Sequence, residues 1–257
     1  MPHKAINSTG GNEMSRLGTV QTPRTRAEVV NAFMRGVYNW MSIGLLVTAA
    51  VAYMIYTLPA FQSIFFSVNP ATGMVGPSIF FWGAIIAEFG LVIYLSARIQ
   101  HMSAQTATTT FIIYSALNGA TLSLILMAYT ASSIFNTFIV TAGMFAALSF
   151  YGLTTKRDLT GMGSFLMMGL FGIIIASIVN FFMHSSAMEF VISIIGVVIF
   201  AGLTAYDSQK LQAMGENAPM DDQVAIRRGT ILGALSLYLD FINLFLFLIR
   251  FMGVTRD

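Results

Sequence analysis

Residues 230–251 read TILGALSLYLDFINLFLFLIRF, a mainly apolar run of 22 residues. A helix needs about 20 mainly apolar residues to cross the hydrocarbon core of a bilayer, which is about 30 Å thick. This stretch is long enough, and the acidic residue Asp240 interrupts it near its middle. It therefore predicts a membrane-spanning helix that carries a carboxyl group inside the membrane.

The composition of the whole chain agrees with a membrane protein. The 257 residues are 56% hydrophobic and 9% charged, against roughly 25% charged in ordinary soluble domains. So few charges cannot cover a soluble surface, which excludes a soluble enzyme and predicts an all-α integral membrane protein. The absence of cysteine from the sequence excludes disulfide scaffolds, thiolate metal sites and cysteine nucleophiles.

Seven stretches are long and apolar enough to span a bilayer, and closed barrels would need shorter, alternating strands instead. The predicted spans are residues 36–57, 77–97, 106–129, 134–153, 162–183, 188–206 and 230–251. Residues 1–30 are polar and predict a flexible cytoplasmic tail, so that residues 31–257 form the transmembrane domain. Residues 26–35 predict either an amphipathic helix along the membrane or the plain start of the first span.

Basic residues mark one side of the predicted bundle. Outside the tail they fall in every second connection, at Arg98, at Lys156 and Arg157, and at Lys210, Arg227 and Arg228. By the positive-inside rule the N-terminus is cytoplasmic, and the net charge of +2 reflects orientation and not a nucleic-acid partner. Arg250 and Arg256 leave one alternative open, six spans followed by a re-entrant seventh segment.

Three acidic residues lie in or at the end of predicted spans: Glu88 in the second, Asp207 at the inner end of the sixth and Asp240 in the seventh. An acid at the centre of a membrane helix costs about 2.5–3.5 kcal/mol on insertion scales. Such a residue must pair, take up a proton or line water. These three are therefore functional candidates, and the alternative is that they only pin helices together through hydrogen bonds.

Helical spacing predicts that Asp207 and Asp240 meet. Small and polar residues form one stripe on each of the last two spans. The stripes are Ser193, Gly196, Phe200, Thr204 and Asp207, and Gly229, Gly233, Ser236, Asp240, Asn243 and Arg250. If the stripes pack together, two carboxyl groups share one proton and act as a proton-operated latch, although the helix rise puts Asp207 near the cytoplasmic edge and Asp240 near the midplane. The ionised pair attracts Ca²⁺, whose ligands are oxygens, and Arg98 is a candidate countercharge.

Three other classes of protein fit the sequence less well: an intramembrane protease, a retinal protein and a metal-dependent hydrolase. Paired aspartates also occur in intramembrane aspartyl proteases, but neither the Gly-x-Gly-Asp nor the Pro-Ala-Leu run of that class is present. A retinal protein needs a lysine in the seventh helix, and the last lysine is Lys210. The three histidines are scattered, with no His-Glu-x-x-His run. We therefore expect no catalytic residues and no cofactor.

Three runs carry a resemblance to a known family. They are GLTAYDSQK at 202–210, ALSLYLDFINLF at 234–245 and FMRGVYNWM at 33–41. The first two resemble the Bax inhibitor-1 (transmembrane Bax inhibitor motif) family, and the third resembles its bacterial inner-membrane branch. The resemblance implies a seven-helix fold with six helices surrounding a central seventh, Asp207 and Asp240 as the pH-sensing pair, Arg98 as the latch arginine and Glu88 as a further acid of the second helix.

The activity that the resemblance implies is a pH-sensitive calcium leak across the bacterial inner membrane. In this interpretation Asp207, Asp240 and Arg98 form the gate, and Glu88, Asn243 and Ser236 line the ion pathway. The two aspartates bind Ca²⁺ transiently as the permeant ion. The alternative function is a non-conducting regulator that binds a membrane protein partner such as a membrane protease.

Overall fold

Eight helices and one short hairpin make up the computed structural model, which describes residues 25–68, 75–218 and 222–256. The helices are α1 (Arg26–Thr57), α2 (Pro59–Phe65), α3 (Ile79–Arg98), α4 (Ala104–Ala128), α5 (Ala131–Thr154), α6 (Thr160–Met183), α7 (Ser186–Glu216) and α8 (Gln223–Met252). Strands β1 (Phe66–Val68) and β2 (Val75–Pro77) pair antiparallel between α2 and α3. A single 3-10 turn, Ile99–His101, follows α3.

Every helix except α2 is long and apolar enough to cross a membrane, which confirms the seven predicted spans. Four of them differ from the predicted ends by a few residues, whereas α1, α7 and α8 extend further by seven to ten residues. All three extensions lie at one end of the bundle, with the C-terminus of α3 and the α5–α6 loop. We call this end, which carries Arg26, Arg98, Arg157, Lys210 and Arg227, the basic face.

A capping box starts α1 at Arg26. The Glu28 N–H donates to Thr25 Oγ1 at 3.3 Å, and the Thr25 N–H donates to Glu28 Oε2 at 2.8 Å. Phe33 then packs against Gly215 of α7 and Gly229 of α8. Residues 26–30, predicted as tail, are therefore the first turns of a continuous helix, and residues 1–24 of the predicted tail lie outside the described residues.

The core of the bundle is α8. It packs on α1, α4, α5 and α7, while α3 packs mainly on α4 and α6 mainly on α7. Buried side chains cover more than half of the circumference of α8, among them Ile231, Leu237, Tyr238 and Leu244, and one face is partly exposed. The helix is unbroken over 30 residues, so it has the length of a full span and not the form of a re-entrant segment. The ring of six helices around it stays a prediction.

Candidate functional site

The register of α7 against α8 brings the two aspartates to neighbouring levels. A Cβ atom on Gly233 would lie 2.7 Å from Leu211, and one on Gly196 would lie 2.5 Å from Phe247. Because the two helices are antiparallel, these contacts put Asp207 level with Ser236 and its neighbour. Asp240 then lies about one turn, or about 5 Å, further along the axis.

The Asp240 carboxyl lies in the protein interior. The side chain is 4% exposed, and its Oδ2 atom has no hydrogen-bond partner among the described residues. The charges that act on it are those of Asp207 and Lys210. Asp207 is half-buried, and Lys210 acts on it as well. The two aspartates and this lysine therefore form one electrostatic group.

Lys210 is the residue of this group that sequence reasoning did not select. It lies three residues after Asp207, so both fall on one side of α7, and its Nζ atom lies 5.8 Å from the centre of the Tyr206 ring. The separation of three residues between Asp207 and Lys210 is the signal in the sequence that could have identified this lysine. Arg98 is exposed at the C-terminus of α3, and the structure does not bring it into the group.

A chain of hydroxyl groups runs beside Asp207. Tyr38 Oη donates to Ser149 Oγ at 3.2 Å, Ser149 Oγ donates to Ser208 Oγ at 2.8 Å, and Ser208 Oγ donates to the Thr204 carbonyl at 2.7 Å. Each hydroxyl has a single hydrogen, so the last bond sets the direction of the chain. The chain ties α1 and α5 to α7 at the residue that follows Asp207.

Glu88 is anchored to α4. Its Oε1 atom accepts a hydrogen bond from Thr121 Oγ1 at 2.8 Å, and its Oε2 atom accepts one from Asn118 Nδ2 at 3.2 Å. The Glu88 charge also reaches the hydroxyl groups of Tyr114 and Tyr238. Sequence reasoning selected the acid but not Thr121. The contacts use both carboxyl oxygens of Glu88 and pin α3 to α4.

Two polar residues of α8 lie on the same side of the helix as Asp240. Ser236 lies one turn before it and Asn243 lies one turn after it, and both are half-buried. Asn243 Nδ2 donates to the Leu239 carbonyl at 2.8 Å, so the amide oxygen is the group that it presents to other partners. Ser236, Asp240 and Asn243 therefore offer oxygen atoms over about 10 Å of one helix.

Known proteins resemble this chain over most of its length. The sequence model of the family described as "Inhibitor of apoptosis-promoting Bax1" matches residues 30–257. The inner membrane protein YbhL of Escherichia coli strain K12 is 50% identical over 227 residues, which cover 88% of this chain and 93% of YbhL. An uncharacterized protein of Borreliella burgdorferi is 48% identical over 229 residues, or 89% and 94% of the two chains. One of Rickettsia prowazekii is 41% identical over 243 residues, or 94% and 97%.

Proposed function

This chain belongs to the Bax inhibitor-1 family, and we propose that it is a pH-sensitive leak for cations such as Ca²⁺, gated by Asp207 and Asp240. The single observation that carries the proposal is the placement of these two acids about one helical turn apart on helices in direct contact. The family membership supports the same assignment.

The buried pair has the chemistry of a gate. Leaving an ionised carboxylate in the interior without a partner costs several kcal/mol, and Oδ2 of Asp240 has no partner in the described part of the chain. The closed state is therefore one in which the pair holds a proton. When both groups ionise, they repel each other across the α7–α8 contact and weaken it, and the same oxygens then attract a cation.

A passing ion suits the site better than a resident one. Ca²⁺ takes six to eight oxygen ligands, and no group of three or more His, Asp or Glu residues is arranged to hold a metal within residues 25–68, 75–218 and 222–256. Two carboxylates bind Ca²⁺ weakly enough to release it. In the proposed pathway Ser236, Asn243 and Glu88 supply further oxygen atoms.

The countercharge of the gate differs between conformations in this proposal. Lys210 is the cation that acts on both aspartates in the present arrangement. Arg98 is not among the charges that act on either aspartate in this arrangement. We therefore assign Lys210 to the closed state and Arg98 to a rearranged one.

The proposed location is a bacterial inner membrane with the basic face in the cytoplasm. YbhL is named as an inner membrane protein, and cytoplasmic connections of inner membrane proteins carry an excess of Lys and Arg. The extensions of α1, α7 and α8 would then project from the cytoplasmic surface.

Calcium flux in proteoliposomes tests the proposal. The purified chain is reconstituted with an entrapped calcium indicator, and the initial flux is measured between pH 5.5 and pH 8. We expect the wild-type flux to rise with pH, because ionisation opens the gate. If one proton controls opening, the rise is at most about tenfold per pH unit. Asp240→Asn and Asp207→Asn are expected to remove most of this pH dependence.

Glu216→Gln is the matched control. It also removes one carboxylate from α7, but Glu216 is exposed at the end of the helix, so its flux profile should follow that of the wild type. Identical profiles for Asp240→Asn and the wild type at every pH would refute the gate. An absence of flux from all variants would instead favour the non-conducting regulator of a membrane partner.

A further inference from the structure

A basic cavity of about 400 Å³ lies between the α5–α6 loop and α7. Three cationic side chains line it, together with one carboxylate, one phenol and one amide: Lys156, Arg157, Lys210, Asp158, Tyr206 and Gln209. None of these residues except Lys210 belongs to the aspartate group described above. The cavity therefore needs an explanation of its own.

The Gln209 side chain fixes the loop on α7. Its Oε1 atom accepts a hydrogen bond from the Leu159 N–H at 2.9 Å, and its Nε2 atom donates to the Arg157 carbonyl at 2.8 Å. Leu159 is buried, and the Tyr206 ring packs against Gly163 at the start of α6. Because both ends of the amide are used, the loop that carries two of the cations is held in place before any ligand arrives, which lowers the entropic cost of binding.

The single carboxylate of the cavity does not balance its cations. Asp158 Oδ1 accepts the Thr160 N–H at 2.9 Å. Two hydrogen bonds hold the pKa of Asp158 below its ordinary value, a larger effect from the Thr160 hydroxyl and a smaller one from the Thr160 N–H. The carboxyl group is therefore ionised at neutral pH. Lys210 also acts on the aspartate group, so it is left out of the balance here. Lys156 and Arg157 against Asp158 then leave the cavity with a net charge of about +1 before Lys210 is counted.

We infer that this cavity is a binding site for a phosphate group. A phosphate presents several oxygens around one centre, which suits one planar guanidinium and two ammonium groups better than it suits a single cation. A basic pocket between helices at a membrane surface is where anionic lipid headgroups bind. A phospholipid headgroup and a free phosphate both supply the required chemistry. The inference goes beyond the proposed leak and does not depend on it.

Binding measurements on the full chain test the inference without measuring flux. In one arm, native mass spectrometry follows retention of phosphatidylglycerol from micelles that contain equal amounts of phosphatidylglycerol and phosphatidylcholine. In the other arm, calorimetry follows inorganic phosphate added to lipid-free protein. We expect Arg157→Gln to weaken binding by at least about tenfold in the arm that shows it, since hydrogen bonds to charged groups have large effects.

Two further variants separate this site from general attraction by the basic face. Arg35→Gln removes one exposed cation of α1 and should bind like the wild type. Gln209→Leu keeps every charge but releases the loop, and should also weaken binding while its unfolding temperature verifies that it folds. Retention of phosphatidylglycerol alone identifies a lipid headgroup, and binding of inorganic phosphate identifies a free phosphate. The inference is wrong if the wild type binds in neither arm, or if Arg157→Gln binds as tightly as Arg35→Gln.

Discussion

Replacing Gly152 by alanine is expected to separate α5 from α7 next to Asp207. Gly152 faces the backbone of Ala205, and an added Cβ would lie 2.9 Å from the Ala205 carbonyl carbon and still closer to its oxygen. Carbon atoms pack favourably at about 3.5–4.0 Å, so the two helices must move apart by about 1 Å. The neighbour is backbone, which cannot rotate away.

The cost of this displacement has two parts. Overpacking of this kind costs about 1–3 kcal/mol. Moving Ser149 about 1 Å away from Ser208 also lengthens their 2.8 Å hydrogen bond beyond the useful range, and such bonds contribute about 0.6 kcal/mol in membrane proteins. We expect a loss of roughly 2–4 kcal/mol. At about 2–4 °C per kcal/mol for a chain of this size, the unfolding temperature should fall by roughly 5–15 °C.

Gly143 provides the matched control on the same helix. An added Cβ at Gly143 meets no atom within 4 Å, so Gly143→Ala keeps the packing and gains helix propensity of up to about 1 kcal/mol. Thermal unfolding of both variants in detergent, followed by circular dichroism, compares them directly. If Gly152→Ala unfolds at the same temperature as Gly143→Ala, the close approach of α5 and α7 described above is wrong.

Two other predictions concern the core and the orientation of the bundle. Tyr238→Phe should lower the free energy of unfolding by about 0.6–1.5 kcal/mol, because it removes the 2.7 Å hydrogen bond between the Tyr238 hydroxyl and Thr48 Oγ1 in the buried core. Chemical denaturation should show no such loss for Tyr94→Phe, whose side chain is 47% exposed. The chain contains no cysteine, so single cysteines report topology. On spheroplasts, an impermeant maleimide should label Ser132→Cys in the first turn of α5 and leave Arg157→Cys unlabelled. The reverse pattern would place the basic face outside.

The seven spans were predictable because each depends on a local property, an apolar stretch of sufficient length. The extensions at the basic face were not, since polar residues there end the apolar stretch without ending the helix. The start of α1 had a readable signal, the capping box of Thr25 and Glu28. The end of α7 also had a signal, Asn217 at the C-cap with Pro219 two residues later in the sequence. The packing of Gly215 against α1 had none.

The contact between the last two spans near Asp207 and Asp240 was predictable, and the helix rise already placed the two acids at different depths, whereas their role stays a prediction. Small-residue stripes indicated that the last two spans meet through Asp207 and Asp240, whereas the axial offset depends on the contact of Gly233 with Leu211, which no periodicity reveals. The contacts of Gln209 and Ser149 were unpredictable for the same reason. Each bonds to a helix or loop that is distant in the sequence, so its partner becomes known only once the neighbouring elements are known.

The burial of α8 has a consequence for biosynthesis. The helix that packs on α1, α4, α5 and α7 is also the one that follows those four along the chain, so the ribosome makes it after them. The four partner helices are therefore made before the Asp240-bearing segment that packs among them. Packing of those four helices into the final bundle therefore waits for α8, which carries the Asp240 carboxyl group into the protein core.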